Sequence, residues 1–432
     1  MLGRCPVCGE WGTYEEEVLT PSASKGPRIT AKGQQPKRLQ DVEASEEMRL
    51  DMHNGELNRV LGGGLVPGSL VLLGGEPGIG KSTLALQVLM QQGERKTFYA
   101  SGEESVRQLK LRAERLSGNA ENLYISSETS LERILEQVKE LEPEIVVIDS
   151  IQTIGTEAID ASIGSLSQVR ECAARILEFA KTRNIPFFII GHINKEGSLA
   201  GPKVLEHIVD TVLQFEGDQQ YMYRILRAQK NRFGSTSELG IYEMRQDGLR
   251  EVSNPSELLL STAREGLSGI AIAAAVEGVR PFLIEVQALV SSAAYGTPQR
   301  SSTGFDGRRL NMLLAVLEKR VGFKLLQKDV FLNIAGGLRV QDPAIDLAVL
   351  AAVLSSNMDI PLDATTCLCG EVGLAGEIRP VNRIEQRIQE AQKLGFKRIM
   401  IPAEQKVDAK RYSIEVVPVK KVTDAFRLLI KG

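Results

Sequence analysis

The feature that most constrains this chain is a nine-residue segment, Gly75-Glu76-Pro77-Gly78-Ile79-Gly80-Lys81-Ser82-Thr83, which matches the pattern GxxxxGK followed by Ser or Thr. The apolar residues 69–74 before it predict a strand, and residues 81–92 after it predict an amphipathic helix. Glycines in such a loop let backbone N–H groups turn toward a phosphate, and the start of the helix favours negative charge. We therefore expect these nine residues to bind the phosphates of ATP, with Lys81 reaching the β- and γ-phosphates and Ser82 holding Mg²⁺.

Short apolar stretches alternate with helical patterns between about residues 55 and 250. After the phosphate loop, strand candidates lie at 97–101, 144–149 and 186–191, and a long helical pattern spans 165–183. This alternation predicts an α/β fold with a mostly parallel sheet covered by helices on both faces. Three consecutive strand candidates with short turns then predict an antiparallel extension of the sheet, at 209–215, 222–228 and 239–243.

A second unit begins near residue 255 and has an α+β pattern. Its predicted elements are strands at 269–277, 282–290, 330–334 and 398–401 and helices at 308–320, 344–355 and 384–393. The first two strands flank Gly278-Val279-Arg280 and predict a hairpin. We therefore divide the chain into a Cys-bearing module (1–20), a polar linker (21–45), an ATPase domain (46–255) and a second domain (256–432).

Composition excludes several other classes of protein. The chain has 432 residues, 43% hydrophobic and 25% charged, which are ordinary values for a globular protein. Its apolar runs are far shorter than the about 20 residues of a membrane helix, and we see no signal segment, so we expect a cytoplasmic location without membrane contact. A net charge of −3 gives no overall basic field, so any DNA binding must come from a local patch.

Three carboxylates directly end or follow predicted strands. Asp149 ends the apolar run 144–149, which predicts a Walker-B aspartate that acts on Mg²⁺ through water. Glu103 and Glu104 follow the strand 97–101, where a carboxylate can orient and deprotonate the attacking water. Glu103 is our first choice and Glu104 the second, since either could instead be an ordinary acidic residue at a helix start.

Three basic side chains are candidates for contact with the γ-phosphate. His192 follows the strand 186–191 at the position of a phosphate sensor, although a single histidine can also be structural. Lys230 and Arg232 are two residues apart, so in an extended chain they point the same way. Such a pair suits contact with a γ-phosphate, especially one held by a neighbouring subunit. It would also suit contact with a DNA backbone, and it could instead be an ordinary solvated basic loop.

Five segments occur together and in this order: the phosphate loop, SGEES (101–105), VVIDS (146–150), GHINKEG (191–197) and KNRFG (230–234). This combination resembles the bacterial RadA family, also called Sms, over nearly the whole chain. The resemblance implies a RecA/DnaB-like ATPase core that forms hexameric rings and translocates on single-stranded and branched DNA. It also implies a helicase that promotes branch migration in homologous recombination and DNA repair, together with the recombinase RecA. Lys230 and Arg232 would then enter the ATP site of the adjacent subunit.

The same resemblance implies a zinc module with two CxxC pairs. This sequence has one pair, Cys5 and Cys8, before Glu10-Trp11-Gly12. Because a structural zinc site needs four ligands, we expect an incomplete module, and Zn²⁺ binding only if a further CxxC pair lies upstream. Cys367 and Cys369 lie in an apolar stretch and are expected to be core residues rather than the missing ligands.

Two stretches, GGLRVQDPAIDLAVLAAVLSS (336–356) and GEVGLAGEIRPVNRIEQRIQEA (370–391), give residues 266–432 a resemblance to the proteolytic domain of Lon, which uses a Ser–Lys pair. The corresponding positions fall at about Ala344 and Glu385, so the resemblance implies an inactive protease domain that serves as a scaffold for ring assembly and DNA contact. Basic residues on one predicted helix could supply that DNA contact or form an ordinary solvated face, and they are Arg308, Arg309, Lys319 and Arg320.

Two alternative functions stay open at this point. One is an ATP-dependent protease, against which the missing Ser–Lys pair argues. The other is a RecA-like module that changes conformation on binding ATP without translocating, against which the carboxylates Glu103 and Glu104 argue.

Overall fold

The structure is a computed structural model that describes residue 38 and residues 48–116, 118–192, 203–217, 223–261, 266–293, 298–325 and 327–431. Residues Met48–Gly432 form one compact unit and Met1–Glu47 another. The predicted Cys-bearing module, including Cys5 and Cys8, lies outside the described residues, as does most of the predicted linker. The domain boundary near 255 stays a prediction.

A nine-stranded sheet forms the first half of Met48–Gly432. Its strands are β1 (Leu70–Gly75), β2 (Thr97–Ser101), β3 (Leu123–Ser127), β4 (Ile145–Asp149), β5 (Phe187–His192), β6 (Thr211–Glu216), β7 (Tyr223–Asn231), β8 (Leu239–Arg245) and β9 (Gly248–Glu251). They lie in the order β3-β2-β4-β5-β1-β6-β7-β8-β9. The strands from β3 to β6 in this order are parallel, and β7, β8 and β9 are added antiparallel. The predicted parallel sheet with an antiparallel extension is confirmed.

Helices cover both faces of this sheet. They are α1 (Gly55–Leu61), α2 (Lys81–Met90), α3 (Val106–Ala113), α4 (Leu131–Leu141), α5 (Leu166–Arg183) and α6 (Lys203–Ile208). A further short helix, α7 (Pro255–Leu259), follows β9 and packs instead on the strand Arg280–Ser292. Adjacent residues of β1 point to opposite faces, so Leu70 and Leu72 pack with α4 and α5, while Val71 and Leu73 pack with α1 and α2. Burial on both faces explains why the parallel strands read as unbroken apolar runs.

A second, seven-stranded sheet forms the other half. Its strands are β10 (Ile270–Glu277), β11 (Arg280–Ser292), β12 (Arg300–Thr303), β13 (Lys328–Ile334), β14 (Thr366–Leu368), β17 (Arg398–Pro402) and β18 (Glu415–Val419), in the order β12-β13-β11-β10-β14-β17-β18. A separate two-stranded ribbon joins β15 (Glu371–Val372) to β16 (Ile378–Arg379). The predicted hairpin is present, with Glu277 opposite Arg280.

Four helices described in this half complete its α+β fold. They are α8 (Gly307–Val316), α9 (Asp346–Met358), α10 (Ile384–Lys393) and α11 (Val422–Lys431). Helix α9 is buried over most of its length and packs on β10 and β11. None of the described helices is both long and apolar enough to cross a membrane.

The two sheets share buried contacts. Leu239 and Ile241 of β8 belong to the same apolar cluster as Phe282 of β11. Beside this cluster, Arg280 Nη1 donates to Glu56 Oε2 at 2.6 Å, and both side chains are buried. The same Glu56 oxygen accepts the backbone N–H of Ile241 at 2.8 Å. An ion pair and a continuous apolar core therefore connect the second sheet to the first.

Some predicted elements differ from the structure. The helix predicted at 308–320 is α8 followed by a π-helical turn, Leu317–Val321. The helix predicted at 344–355 starts as a 3₁₀ turn, Pro343–Ile345, with proline at a first helical position, where no backbone N–H is needed. The strand predicted at 222–228 continues to Asn231, since pairing with β6 resumes after a β-bulge. Lys230 therefore lies inside β7 rather than after it.

Candidate nucleotide site

The phosphate loop connects the end of β1 at Gly75 to the start of α2 at Lys81. Gly78 and Gly80 have φ angles of 77° and 114°, a left-handed backbone that glycine adopts readily. No side chain caps the first turn of α2. The backbone N–H groups of that turn are therefore available to a phosphate, as the sequence pattern predicts.

Lys81 is buried against this loop. Its Nζ atom donates to the carbonyls of Gly75 and Glu76 at 2.8 and 2.9 Å. Burial lowers the pKa of the amine to about 8, although the nearby carboxylates of Asp149, Glu103 and Glu76 act in the opposite direction. A bound phosphate would add negative charge and favour the protonated amine further.

Asp149 ends β4 and is held by a tyrosine on the neighbouring strand β2. Tyr99 Oη donates to Asp149 Oδ2 at 2.5 Å, and both side chains are buried. Burial and the adjacent carboxylate raise the pKa of Tyr99 well above its usual 10, so the hydroxyl stays a donor. The second oxygen, Asp149 Oδ1, is buried without a hydrogen-bond partner among the described residues.

Glu103 contacts two residues at the ends of other strands of the same sheet, Ser150 directly after β4 and His192 at the end of β5. Ser150 Oγ donates to Glu103 Oε1 at 2.6 Å, and His192 Nε2 lies 3.1 Å from the same oxygen. Partial burial alone would raise the pKa of Glu103, but the bonds from Ser150 and His192 outweigh burial and lower it. Glu103 is therefore ionised at neutral pH, as a base acting on water must be.

Glu104 has a different environment. Its Oε1 atom accepts a hydrogen bond from Arg112 Nη2 at 2.5 Å, which makes an ion pair between β2 and α3. Both neighbouring glutamates donate their backbone N–H to Ser101 Oγ, so this serine fixes the turn from which the two side chains diverge. The geometry favours Glu103, our first choice, as the catalytic carboxylate.

The residues at this edge suit a magnesium ion. Mg²⁺ prefers oxygen ligands, and Ser82 and Asp149 offer a hydroxyl and a carboxylate. The unsatisfied Asp149 Oδ1 is a buried anionic oxygen for which a hydrated cation would compensate. When bound with ATP, Mg²⁺ would neutralise developing charge on the phosphates. Among the described residues no cluster of three or more His, Cys, Asp or Glu side chains forms a separate metal site.

Lys230 and Arg232 lie away from this edge. Lys230 Nζ donates to the carbonyls of Glu206 and Val209 at 2.6 and 2.8 Å, and burial next to Arg232 lowers its pKa. Arg232 is half exposed and pairs with the buried carboxylate of Asp210 at 3.2 Å. Both cations therefore contact residues between 206 and 210, at the end of α6 and just before β6.

The register of the strands gives the position of these cations in the sheet. Lys230 pairs with Val212 of β6, which pairs with Leu72 of β1, three residues before Gly75. At about 3.3 Å per residue and about 4.8 Å per strand, the Cα atoms of Lys230 and Gly75 are about 14 Å apart. The phosphates lie beyond Gly75, so neither cation reaches the phosphate loop of its own chain.

The second half carries no nucleophile at the predicted protease positions. Ala344 is fully buried in a cluster that includes Ile384 of α10, and Glu385 is exposed on the same helix. Cys367 and Cys369 are fully buried in the core, as predicted. Among the predicted basic residues of this half, Arg309 forms an ion pair with buried Asp346, so it is engaged within the protein rather than presented to a partner.

Two functional residues were missed by sequence reasoning. Tyr99 and Ser150 orient Asp149 and Glu103, respectively. A signal was present for both, because a tyrosine inside the apolar run 97–101 needs a partner for its hydroxyl, and Ser150 directly follows the predicted Walker-B residue.

Comparison with known families agrees with this geometry. Residues 34–198 match the model of an AAA domain, and residues 305–405 match that of subunit ChlI of Mg-chelatase. The site at the end of β1 is accordingly that of an ATPase domain.

Two solved structures resemble part of the chain. A KaiC-like protein from Pyrococcus horikoshii covers 48% of this chain and 99% of its own length, with 19% identity and a TM-score of 0.40. The RadB recombinase covers 47% of this chain and 100% of its own, with 22% identity and a TM-score of 0.38.

Curated relatives match over the whole length. The DNA repair protein RadA of Bacillus subtilis is 50% identical over 439 residues, covering 100% of this chain and 96% of the relative. That of Listeria monocytogenes is 50% identical and covers 99% of this chain and 94% of the relative. That of Streptococcus pyogenes is 49% identical, with 98% and 94% covered. From this full-length identity, the chain belongs to the RadA family of bacterial DNA repair proteins.

Proposed function

We propose that this chain is a ring-forming DNA motor whose ATP site lies between two adjacent copies. One copy supplies the phosphate loop, Asp149 and Glu103, and its neighbour supplies Lys230 and Arg232. The motor would act as a helicase on single-stranded and branched DNA and promote branch migration of recombination intermediates, in homologous recombination and repair, together with the recombinase RecA. We propose a hexamer as the working assembly.

The observation that supports this proposal is the separation of the two cations from the phosphate loop of their own chain. Lys230 and Arg232 lie near the start of β6, whereas the phosphates bind beyond the end of β1. Cations aimed at a γ-phosphate are effective only within contact distance. A pair that is too far from its own phosphate site, and of which Arg232 is half exposed, suits a role in the site of an adjacent copy.

Within one site, the described residues divide the chemistry among them. Lys81 and the loop N–H groups would hold the phosphates, and Ser82 and Asp149 would hold Mg²⁺. Glu103 would take a proton from the attacking water, and His192 would sense the γ-phosphate through its contact with Glu103. Hydrolysis would then release the contact between neighbouring copies and change their orientation.

A subunit-mixing experiment tests the site in trans. Lys81→Ala retains both cations but loses its own site, and Lys230→Ala retains its own site but loses a cation. Each variant alone should have little DNA-stimulated ATPase activity, and the mixture should recover part of it, because some interfaces then combine two intact halves. A mixture as inactive as its parts would refute the shared site.

Lys181→Ala is a matched control for the cations. Lys181 pairs with the same Asp210 carboxylate as Arg232, at 3.3 Å, and is about as exposed. We expect Arg232→Ala to lose ATP turnover while still binding ATP, and Lys181→Ala to keep normal turnover. Equal losses would mean that Arg232 acts only by pairing with Asp210.

Particle images with single-stranded DNA and a non-hydrolysable ATP analogue test the assembly. We expect six-membered rings with DNA in the central channel. A monomer indifferent to both ligands would contradict the motor and favour a nucleotide-dependent switch.

A further inference from the structure

The loop that follows Lys230 depends on side chains from elsewhere in the chain. Asn231 Oδ1 accepts the backbone N–H of Phe233 at 2.9 Å, and Asn231 Nδ2 donates to the carbonyls of Val60 and Leu61 at the end of α1. The loop is exposed at Arg232 and at Gly234, so packing against a core contributes little to its position.

Arg49 fixes the same loop from the other side. Its Nη2 atom donates to the carbonyl of Phe233 at 2.6 Å, and its Nη1 atom donates to the carbonyls of Leu61 and Gly62 at 3.2 and 2.8 Å. One planar guanidinium therefore joins the loop to the carboxyl end of α1, a geometry that a lysine ammonium does not reproduce.

The backbones of these two segments also approach closely. Gly62 has a φ angle of 86°, and a Cβ atom added to it would lie 3.3 Å from Gly234 Cα and 3.2 Å from Arg49 Nη1. The carbonyls that Arg49 binds are those that a helix end leaves without intrahelical partners. Arg49 thus uses the end of α1 as a fixed support for the loop.

We propose that Arg49 is a positioning residue for the reaction: it holds the 231–234 loop so that Lys230 and Arg232 meet the ATP site of the adjacent copy. The inference rests on the proposed shared site. A cation displaced by about 1 Å can lose about 100-fold in rate, so the loop needs a rigid support to be effective. The three carbonyls that Arg49 binds belong to Leu61, Gly62 and Phe233, and so neither to the phosphate loop nor to the two cations.

The test uses Arg49→Ala in the full chain. We expect kcat for DNA-stimulated ATP hydrolysis to fall about tenfold or more, while the dissociation constant for a fluorescent ATP analogue changes less than about twofold. Arg49→Lys should restore part of kcat, because an ammonium can bind one of the carbonyls but not both segments. Arg59→Ala is the control, since Arg59 lies on α1, the helix whose end Arg49 binds, but pairs with Glu56 instead of the loop.

Mixing with Lys81→Ala separates this inference from the proposed shared site. Arg49→Ala keeps its own phosphate loop, so the Lys81→Ala partner should restore activity as it does for Lys230→Ala. Rescue of Lys230→Ala without rescue of Arg49→Ala would overturn the role of Arg49 alone. Rescue of neither would overturn the shared site and this inference with it. If Arg49→Ala does not fold, Arg49→Lys replaces it in both experiments. A normal kcat for Arg49→Lys alone, unchanged when the variant is mixed with Lys81→Ala, would refute the inference.

Discussion

The hydroxyl of Tyr99 provides a quantitative test of how the nucleotide site is built. Changing Tyr99→Phe removes one oxygen and leaves the buried ring in place. The lost bond is the 2.5 Å donation to Asp149, whose other oxygen already has no hydrogen-bond partner among the described residues. The variant therefore leaves both oxygens of the buried Asp149 carboxylate without a hydrogen bond from the described residues, which is costly in free energy.

The magnitude follows from the charge of the acceptor. A hydrogen bond to an ionised group contributes about 1.5–3 kcal/mol to stability, against about 0.5–1.5 kcal/mol for a neutral pair. Tyr242 gives the matched neutral case, because it is also fully buried and donates to Asn54 Oδ1 at 2.8 Å. Asn54 Oδ1 retains a second donor, the N–H of Leu57. We expect Tyr99→Phe to cost about twice as much free energy of unfolding as Tyr242→Phe.

Urea unfolding of both variants in the absence of nucleotide measures this difference. The Mg²⁺ concentration for half-maximal ATPase activity should also rise in Tyr99→Phe, since Asp149 is less well oriented, and should be unchanged in Tyr242→Phe. Equal costs for the two variants, or a larger cost for Tyr242→Phe, would refute the assignment of Tyr99 as the support of a charged Asp149.

Three further predictions address other parts of the molecule. Because burial lowers the pKa of Lys81 to about 8, ATP affinity should be constant below about pH 8 and fall above it. Calorimetry above pH 8 in buffers of different ionisation enthalpy should detect proton uptake when ATP binds. An ATP affinity that rises with pH through this range would contradict the prediction. Glu103→Gln should lower kcat by about 100-fold or more with ATP binding retained, whereas Glu104→Gln should change kcat little, and steady-state assays compare the two. Gly278→Ala would drive a Cβ atom into the backbone carbonyl oxygen of Ser237, so it should lower the melting temperature much more than Gly93→Ala, which has a similar positive φ but open space around it.

Much of the fold could be predicted from the sequence because its strongest signals are local. The phosphate loop lies between an apolar strand and a helix, and the hairpin at 277–280 has a glycine at its turn, so a short window contains the evidence. Strand β3 was missed because it is only partly buried and two of its five residues are serines. A search for unbroken apolar runs predicts edge strands and short ribbons poorly, since these strands are not buried on both faces and so are not uniformly apolar.

The site was predictable in its charged residues but less so in the groups that orient them. Asp149 and Glu103 stand directly after strands, where position alone indicates a role. Tyr99 and Ser150 act through contacts between neighbouring strands, which depend on the order β2-β4-β5-β1 rather than on sequence spacing. The choice of Glu103 over Glu104 was made from the sequence, and the structure adds a tertiary contact that supports it, the ion pair between Glu104 and Arg112.

The apolar contacts that cross from β8 to β11 have a consequence for how this molecule can be dissected. A fragment that ends near residue 255 would expose Leu239 and Ile241 to water, and the complementary fragment would expose Phe282. Each separate fragment would expose an apolar surface that favours aggregation, and the ion pair between Arg280 and Glu56 would be lost. We expect the two fragments to precipitate when each is expressed alone and to recover solubility when they are co-expressed. A gene divided near residue 255 should therefore be expressed as both fragments in the same cell.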